Sequence, residues 1–459
     1  MEQITKPHCG ARLDRLPDCR WHSSMFAIVA FGLLVCWSNA VGGLILAQLK
    51  ELGWTDDSPT ATFSAITTAG MFLGALVGGI IGDKTGRRNA FILYEAIHIA
   101  SMVVGAFSPN MDFLIACRFV MGVGLGALLV TLFAGFTEYM PGRNRGTWSS
   151  RVSFIGNWSY PLCSLIAMGL TPLISAEWNW RVQLLIPAIL SLIATALAWR
   201  YFPESPRWLE SRGRYQEAEK VMRSIEEGVI RQTGKPLPPV VIADDGKAPQ
   251  AVPYSALLTG VLLKRVILGS CVLIAMNVVQ YTLINWLPTI FMTQGINLKD
   301  SIVLNTMSMF GAPFGIFIAM LVMDKIPRKT MGVGLLILIA VLGYIYSLQT
   351  SMLLITLIGF FLITFVYMYV CYASAVYVPE IWPTEAKLRG SGLANAVGRI
   401  SGIAAPYAVA VLLSSYGVTG VFILLGAVSI IVAIAIATIG IETKGVSVES
   451  LSIDAVVNK

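Results

Sequence analysis

The sequence is short of charge. Only 13% of its 459 residues are Asp, Glu, Lys or Arg, where a water-soluble domain carries about 25%. With 56% hydrophobic residues, a soluble fold of this composition could not cover its own surface, so an ordinary cytosolic globule is excluded. Histidine is scarcer still, with three copies. The seven cysteines (Cys9, Cys19, Cys36, Cys117, Cys163, Cys271 and Cys371) are odd in number and contain no CxxC pair. Five of them fall in apolar stretches, where a thiol behaves as a small apolar residue. No disulfide framework is expected. His8, Cys9, Cys19 and His22 lack the spacing of a usual zinc site, so no metal is expected either. Nothing in the pattern combines a nucleophile, a base and an orienting group, which leaves no enzyme to assign and no cofactor.

What the sequence has instead is apolar runs of about 18 to 25 residues, the length a helix needs to cross a hydrocarbon core about 30 Å thick. They are continuously apolar rather than alternating, which indicates helices and not barrel strands. The spans are read as 24–48, 61–82, 90–108, 112–137, 148–173 and 181–202, then 264–287, 301–323, 332–349, 352–378, 391–415 and 418–440. The expected fold class is an all-α membrane protein with 12 transmembrane helices in two six-helix bundles. The expected divisions are an N-terminal segment 1–23, a first bundle 24–202, a loop 203–263, a second bundle 264–440 and a tail 441–459. Within the loop, Ala218, Val221, Met222 and Ile225 recur at helical spacing, predicting an amphipathic helix under the membrane. The Pro- and Gly-bearing stretch that follows reads as a linker.

Basic residues orient the chain, because positive charge is retained on the cytoplasmic side of short loops. With both termini inside, 28 of the 33 Lys and Arg fall in cytoplasmic segments or at the cytoplasmic ends of spans. Lys50, Arg181 and Lys299 are left outside, and Arg118 and Arg399 within spans. The net charge of +7 is thus a matter of topology, and nucleic acid is not an expected partner. The first 22 residues lack a compact apolar core with a small-residue cleavage site, so no cleaved signal peptide is read there.

The two halves echo each other at a separation of about 240 residues. Gly79, Asp83, Gly86, Arg87 and Arg88 follow the second span; Asp324, Pro327, Arg328 and Lys329 follow the eighth. Glu138 and Arg145 follow the fourth span; Glu380 and Arg389 follow the tenth. Here GGIIGDKTGRR resembles the loop signature of the major facilitator superfamily, with DKIPRK as its weaker copy. Arg118 followed by Gly122, Gly124 and Gly126 is similar to that family's fourth-helix signature. Pro203-Glu204-Ser205-Pro206-Arg207 and Glu442-Thr443-Lys444-Gly445 resemble sugar-porter markers.

The resemblance implies a fold that rocks between two faces. It assigns conformational latches to Gly79, Asp83, Gly86, Arg87, Arg88, Asp324, Arg328 and Lys329. The pairs Glu138 with Arg145, Glu204 with Arg207, and Glu380 with Arg389 are expected as breakable gate contacts at the membrane surface. The competing reading of each is a solvated charge or an ordinary positive-inside anchor.

Ionisable groups inside the bilayer are costly and are candidates for function. Arg118 is expected either to bind an anionic substrate or to bias a carboxylate's proton affinity, or else to cap neighbouring carbonyls. Glu95 and His98 share one helix face and either relay a proton or satisfy each other. Arg399 falls at about mid-depth. The remaining substrate candidates are Asn39, Asn157, Tyr160, Asn277, Gln280, Tyr281, Asn285, Asn305, Tyr369 and Tyr372. Where sugar porters carry a glutamine pair and a tryptophan platform, this chain has Ala275, Met276 and Val376, which argues against a hexose. Val376 to Arg399 instead resembles the metabolite:proton symporter branch, although the first span holds no carboxylate.

The expectation is a secondary transporter importing an organic acid or sugar-acid-like metabolite, by proton symport, across a bacterial inner membrane. The alternatives are an uncoupled facilitator, a sugar porter, or a transporter-like receptor. A monomer in the lipid bilayer is expected, with a small molecule and protons as partners.

Overall fold

The structure, a computed structural model, describes residues 7–17, 19–54, 57–140, 145–240, 254–323, 325–382 and 386–443. The described residues are 85% helix, and no strand occurs among them. In chain order the helices are α1 (Cys9–Asp14), α2 (Arg20–Gly32), α3 (Gly42–Glu51), α4 (Asp57–Thr85), α5 (Arg87–Ala106) and α6 (Met111–Tyr139). Next come α7 (Arg145–Asn157), α8 (Ser159–Leu170), α9 (Ala176–Tyr201), α10 (Pro206–Ser211) and α11 (Tyr215–Thr233). The last six are α12 (Gly260–Thr293), α13 (Leu298–Met309), α14 (Gly311–Val322), α15 (Arg328–Ser347), α16 (Met352–Val370) and α17 (Lys387–Ile439).

Among the described residues, ten stretches are long and apolar enough to cross a membrane, where the sequence predicts twelve. The difference lies in interruptions. The expected fifth span is divided at Trp158 into α7 and α8, each too short to cross alone. The eleventh and twelfth run together as α17, broken only at Gly417 with φ 64° and ψ −161°, a left-handed conformation that costs glycine nothing. Helix ends elsewhere follow side-chain chemistry: Asn110 accepts from the Phe113 N–H at 2.9 Å to start α6, and Asn297 accepts from Asp300 at 2.8 Å to start α13.

The chain forms two compact units, Met1–Asn39 with Gly70–Ser159 and Leu184–Gly246, and Ala40–Ala69 with Tyr160–Gln183 and Lys247–Lys459. In the first, α4 packs against α6 backbone to backbone. A Cβ on Gly70 would strike the Phe119 carbonyl, one on Gly74 the Val123 carbonyl, and one on Gly126 the Met71 carbonyl. In the second unit the same contact recurs: Gly311 faces the Phe360 carbonyl and Gly315 the Thr364 carbonyl, each of these four residues 241 positions after its counterpart. Small residues let helices approach where lipid gives no hydrophobic drive between them.

Helix α11 forms where the amphipathic pattern predicts it, with Ala218, Met222, Ile225 and Val229 buried. Its apolar face is covered by protein: Cys9, Leu13 and Leu16 from the N-terminal segment and Trp208 and Leu209 of α10 complete the cluster. The expected linker lies mostly outside the described residues. In the second unit, α3 lies on α12, so that a Cβ on Gly43 would collide with the carbonyls of Ile284 and Asn285. Ala61 of α4 packs there with Trp286, Ile290, Val409 and Val421. Leu76, Ile80, Ile189 and Leu192 of the first unit, and Leu353, Val411 and Ile431 of the second, stand exposed, as spanning helices present to lipid.

Candidate functional site

Three spanning helices and an interrupted fourth bring ionisable groups together inside the first unit. The first span does not run straight: after α2 it tightens to a 3-10 turn over Leu33–Cys36, resumes over Trp37–Ala40, and turns at Val41 before α3. Such interruptions release backbone carbonyls. Arg118 of α6, 2% exposed, donates to the freed Ser38 carbonyl at 2.7 Å. Ser38 Oγ lies 2.8 Å from His98 Nε2. His98 Nδ1 lies 3.4 Å from Ser191 Oγ of α9 and 4.0 Å from Glu95 Oε2. Glu95 and His98 are both fully buried, and neither Glu95 oxygen has a hydrogen-bond partner. Gly124 makes the closeness possible, since a Cβ there would sit 3.1 Å from the His98 backbone nitrogen. Of the predicted residues, Glu95, His98 and Arg118 thus converge. Ser38 and Ser191 join them without having been singled out, because nothing local marks a serine that bonds across 60 or 93 positions.

Among the described residues, Glu204 and Glu380 pair otherwise than the sequence predicts. Glu204 does not pair with Arg207. Its Oε1 accepts from the backbone N–H groups of Arg87 at 2.6 Å, Arg88 at 3.3 Å and Ser205 at 2.9 Å. A carboxylate on the N-terminus of α5 neutralises orphan donors and the positive end of the helix dipole. Burial pushes the Glu204 carboxyl above its ordinary range, and those three donors pull it partly back. Gly86, at φ 95°, holds the turn before α5 so close that a Cβ would meet the Glu204 carboxylate. Arg207 pairs instead with Asp14 at 3.0 Å. The Arg87 guanidinium returns to the Gly82 carbonyl at 3.0 Å, and Arg88 lies over the Trp199 ring.

The second half repeats the device. Glu442 accepts from the N–H groups of Arg328 at 2.8 Å and Lys329 at 3.1 Å, capping α15 as Glu204 caps α5. Glu380 takes the Arg328 guanidinium in a fork at 3.0 and 3.1 Å, not Arg389, and accepts from Thr443 at 2.6 Å. Gly79 faces open space. The side chains of Asp83, Glu138 and Arg145, and Asp324 entirely, lie outside the described residues.

The predicted amides and phenols divide by what they bond. Asn157 donates to the Ser153 carbonyl and Asn277 to the Leu273 carbonyl of their own helices. Asn305 reaches Ser164 at 3.0 Å and Tyr369 reaches the Val272 carbonyl at 3.1 Å. Tyr160 rests edge-on against Tyr367. Asn39 and Asn285 are buried, Gln280 and Tyr281 half-buried. Tyr372 is fully buried yet its hydroxyl has no partner. It stacks on Tyr377 at 5.0 Å within a π-turn over Cys371–Tyr377, a geometry that often marks functional sites. Arg399 is half-buried and makes no hydrogen bond or ion pair with a described residue. It stands one turn before Gly402, which abuts the Tyr281 ring.

A repeated helix pair, an all-helical membrane-spanning chain and matched capping carboxylates define a transporter fold, and the comparisons agree. The Major Facilitator Superfamily profile matches residues 26–406, and the chain belongs to that family. A protein of Escherichia coli K12, YdjK, named for an inferred role in metabolite transport, is 99% identical over the whole of both chains. Another from that organism, the inner membrane metabolite transport protein YdjE, is 44% identical, covering 98% of this chain and 99% of its own. The inward-open structure of the xylose transporter XylE from E. coli superposes with a TM-score of 0.74 at 17% identity, covering 94% of this chain and 99% of that one. The chain is therefore a multi-pass membrane transporter of metabolites and not an enzyme.

Proposed function

We propose that this chain imports a small anionic metabolite, an organic acid or sugar-acid-like compound, by proton symport across the inner membrane, with both termini cytoplasmic. The observation that carries the substrate class is Arg399: an arginine at about mid-depth of a spanning helix is expensive, and this one has no partner among the described residues. An anionic ligand would supply the missing acceptor. Gln280, Tyr281 and Tyr372 of the same unit are assigned supporting polar contacts. The bonds that Asn157, Asn277 and Asn305 already make reduce their claim. The relatives support the class without fixing the compound, since they include a niacin transporter from Acinetobacter baylyi, 25% identical over 96% of this chain. XylE bound to 6-bromo-6-deoxy-D-glucose is a proton:xylose symporter, which favours proton coupling and keeps sugar transport as the second reading.

The close seating of α3 and of Ala61 on α12 and α17 is assigned the role of a gate contact that parts and re-forms during transport. The capped turns, with Glu204 and Glu442 on α5 and α15, would hold each half's helices together while two six-helix bundles rock. Asp83, Glu138 and Arg145 keep their proposed latch roles from sequence. The test is uptake of labelled nicotinate, xylose, inositol and a panel of sugar acids into proteoliposomes, with and without an inward proton gradient. Gradient-driven accumulation of an acid supports the proposal. Carriage of neutral sugars alone overturns the substrate class.

A further inference from the structure

A carboxyl group with neither oxygen hydrogen-bonded is costly anywhere in a protein interior, and far more so when ionised. Glu95 is such a group, wholly buried. It lies about 12 Å along α5 from that helix's start, at 1.5 Å per residue. The charged and titratable groups packed around it from each neighbouring element are few. His98 of its own helix is 4.0 Å away. From α6, Arg118 comes near His98 but is bonded to the Ser38 carbonyl. From α9 comes only Ser191, and from the interrupted first span only Ser38, both bearing hydroxyls. Those hydroxyls hold His98 at both ring nitrogens, so the ring is positioned rather than free, and its Nδ1 faces the Glu95 carboxyl. The carboxyl, in contrast, accepts no well-formed hydrogen bond, with the Ser191 hydroxyl close enough only to act on it weakly, and a proton would complete it.

We propose that Glu95 is the proton-binding group of this transporter, with His98 passing the proton between Glu95 and the Ser38 hydroxyl at the break in the first span. This rests on the proton-symport reading above. The first span has no acid of its own, so a coupling carboxylate must come from another helix. The step is a simple protonation: the carboxylate takes one proton from water on one side, becoming a neutral acid, and returns it as carboxylate to the other. His98 links that change to the Ser38 segment, whose carbonyl Arg118 holds. Loss or gain of the proton is thus felt where the first span bends.

The experiment uses the full chain reconstituted in liposomes and does not need the natural substrate. Infrared difference spectra are recorded as pH is stepped from about 5 to 9, the range in which a coupling carboxyl can exchange protons. The expected result is a protonated-carboxyl carbonyl band that fades as pH rises, is absent in Glu95→Gln, and changes frequency in Ser191→Ala and His98→Gln. A band in wild type that persists unchanged across the range, or no difference between wild type and Glu95→Gln, would overturn the proposal. In the transport arm, nicotinate or xylose is used, whichever wild type carries. A gradient of about one pH unit drives about tenfold accumulation for one proton per substrate. Glu95→Gln should lose that accumulation entirely while still exchanging internal for external label at a rate close to wild type. Equal loss of exchange and accumulation would mark Glu95 as structural only. If wild type shows no gradient-driven accumulation, the symport reading fails, while the infrared titration still decides whether Glu95 binds a proton.

Discussion

Gly86 and Glu204 test whether the loop signature works as a helix cap. Glu204→Ala removes three backbone acceptor contacts and a negative charge at the start of α5. A cap is worth about 0.5–2 kcal/mol and a charge on the dipole up to about 2 kcal/mol more. A loss of about 2 to 3 kcal/mol is therefore expected. Gly86→Ala has two costs: the left-handed backbone at φ 95°, about 1–2 kcal/mol for a residue with a Cβ, and the collision of that Cβ with the Glu204 carboxylate. Only the second cost disappears when Glu204 is already alanine. The double variant should thus be more stable than the sum of the single losses predicts, by about 1 kcal/mol. Thermal unfolding of the four proteins in detergent, followed by tryptophan fluorescence, reads this coupling. Additivity within about 0.3 kcal/mol would show that Gly86 is needed only for its backbone. The second half supplies a control. Glu442→Ala should cost about as much, but the matching position is Pro327 at φ −55°, where no glycine is required.

Three further outcomes follow. Arg12 forks onto Glu226 at 3.1 and 2.7 Å and also reaches Glu219, while Arg15 adds a 2.6 Å bond to Glu226. The Arg12 bond holds the Glu219 carboxyl below its ordinary value. For Glu226, burial pushes upward but the bonds from Arg12 and Arg15 outweigh it. Both folded values lie below the unfolded value of about 4.3, so this stabilisation is complete above that pH and lost as pH falls through the folded values. Hydrogen exchange in α1 and α11 should quicken under acid, and Arg12→Ala should produce the same quickening at neutral pH. Unchanged exchange in Arg12→Ala would deny the clamp any role.

Gly43→Trp cannot keep its side chain against the Ile284 and Asn285 carbonyls, so transport should fall below about a tenth of wild type. A cysteine placed nearby should at the same time become more reactive to an impermeant thiol reagent added outside. Normal transport would contradict the closed contact. Arg118→Ala leaves the Ser38 carbonyl without its guanidinium donor, and loss of a buried charged hydrogen bond costs about 1.5–3 kcal/mol. Transport should be abolished although the protein still reaches the membrane; full activity would remove Arg118 from the site.

Much of the fold was legible because membrane insertion writes itself into composition: continuous apolar runs, basic loops and a repeat. The partners of the charged turns were not, because pairing is a property of space. Glu204 and Arg207 are near neighbours in sequence, yet Glu204 reaches back 117 positions to Arg87. The α4–α6 glycine contact could have been found, since Gly70 and Gly74 recur at Gly311 and Gly315. The break at Leu33–Cys36 carries no proline inside it, and the π-turn at Cys371–Tyr377 is foreshadowed only by Pro379, whose missing N–H cannot continue the ordinary ladder. The Glu95 and His98 pair was visible as helical spacing. The serines that turn it into a connected site were not.

The central claim is proton-driven import of a small acidic metabolite, and the most direct measurement is the accumulation ratio of labelled acid in proteoliposomes as the imposed pH gradient is varied. The account predicts a ratio that rises about tenfold for each pH unit of inward gradient and falls to equilibrium when a protonophore is added. A ratio that stays at equilibrium at every gradient, with equally rapid entry, would make the chain an uncoupled facilitator.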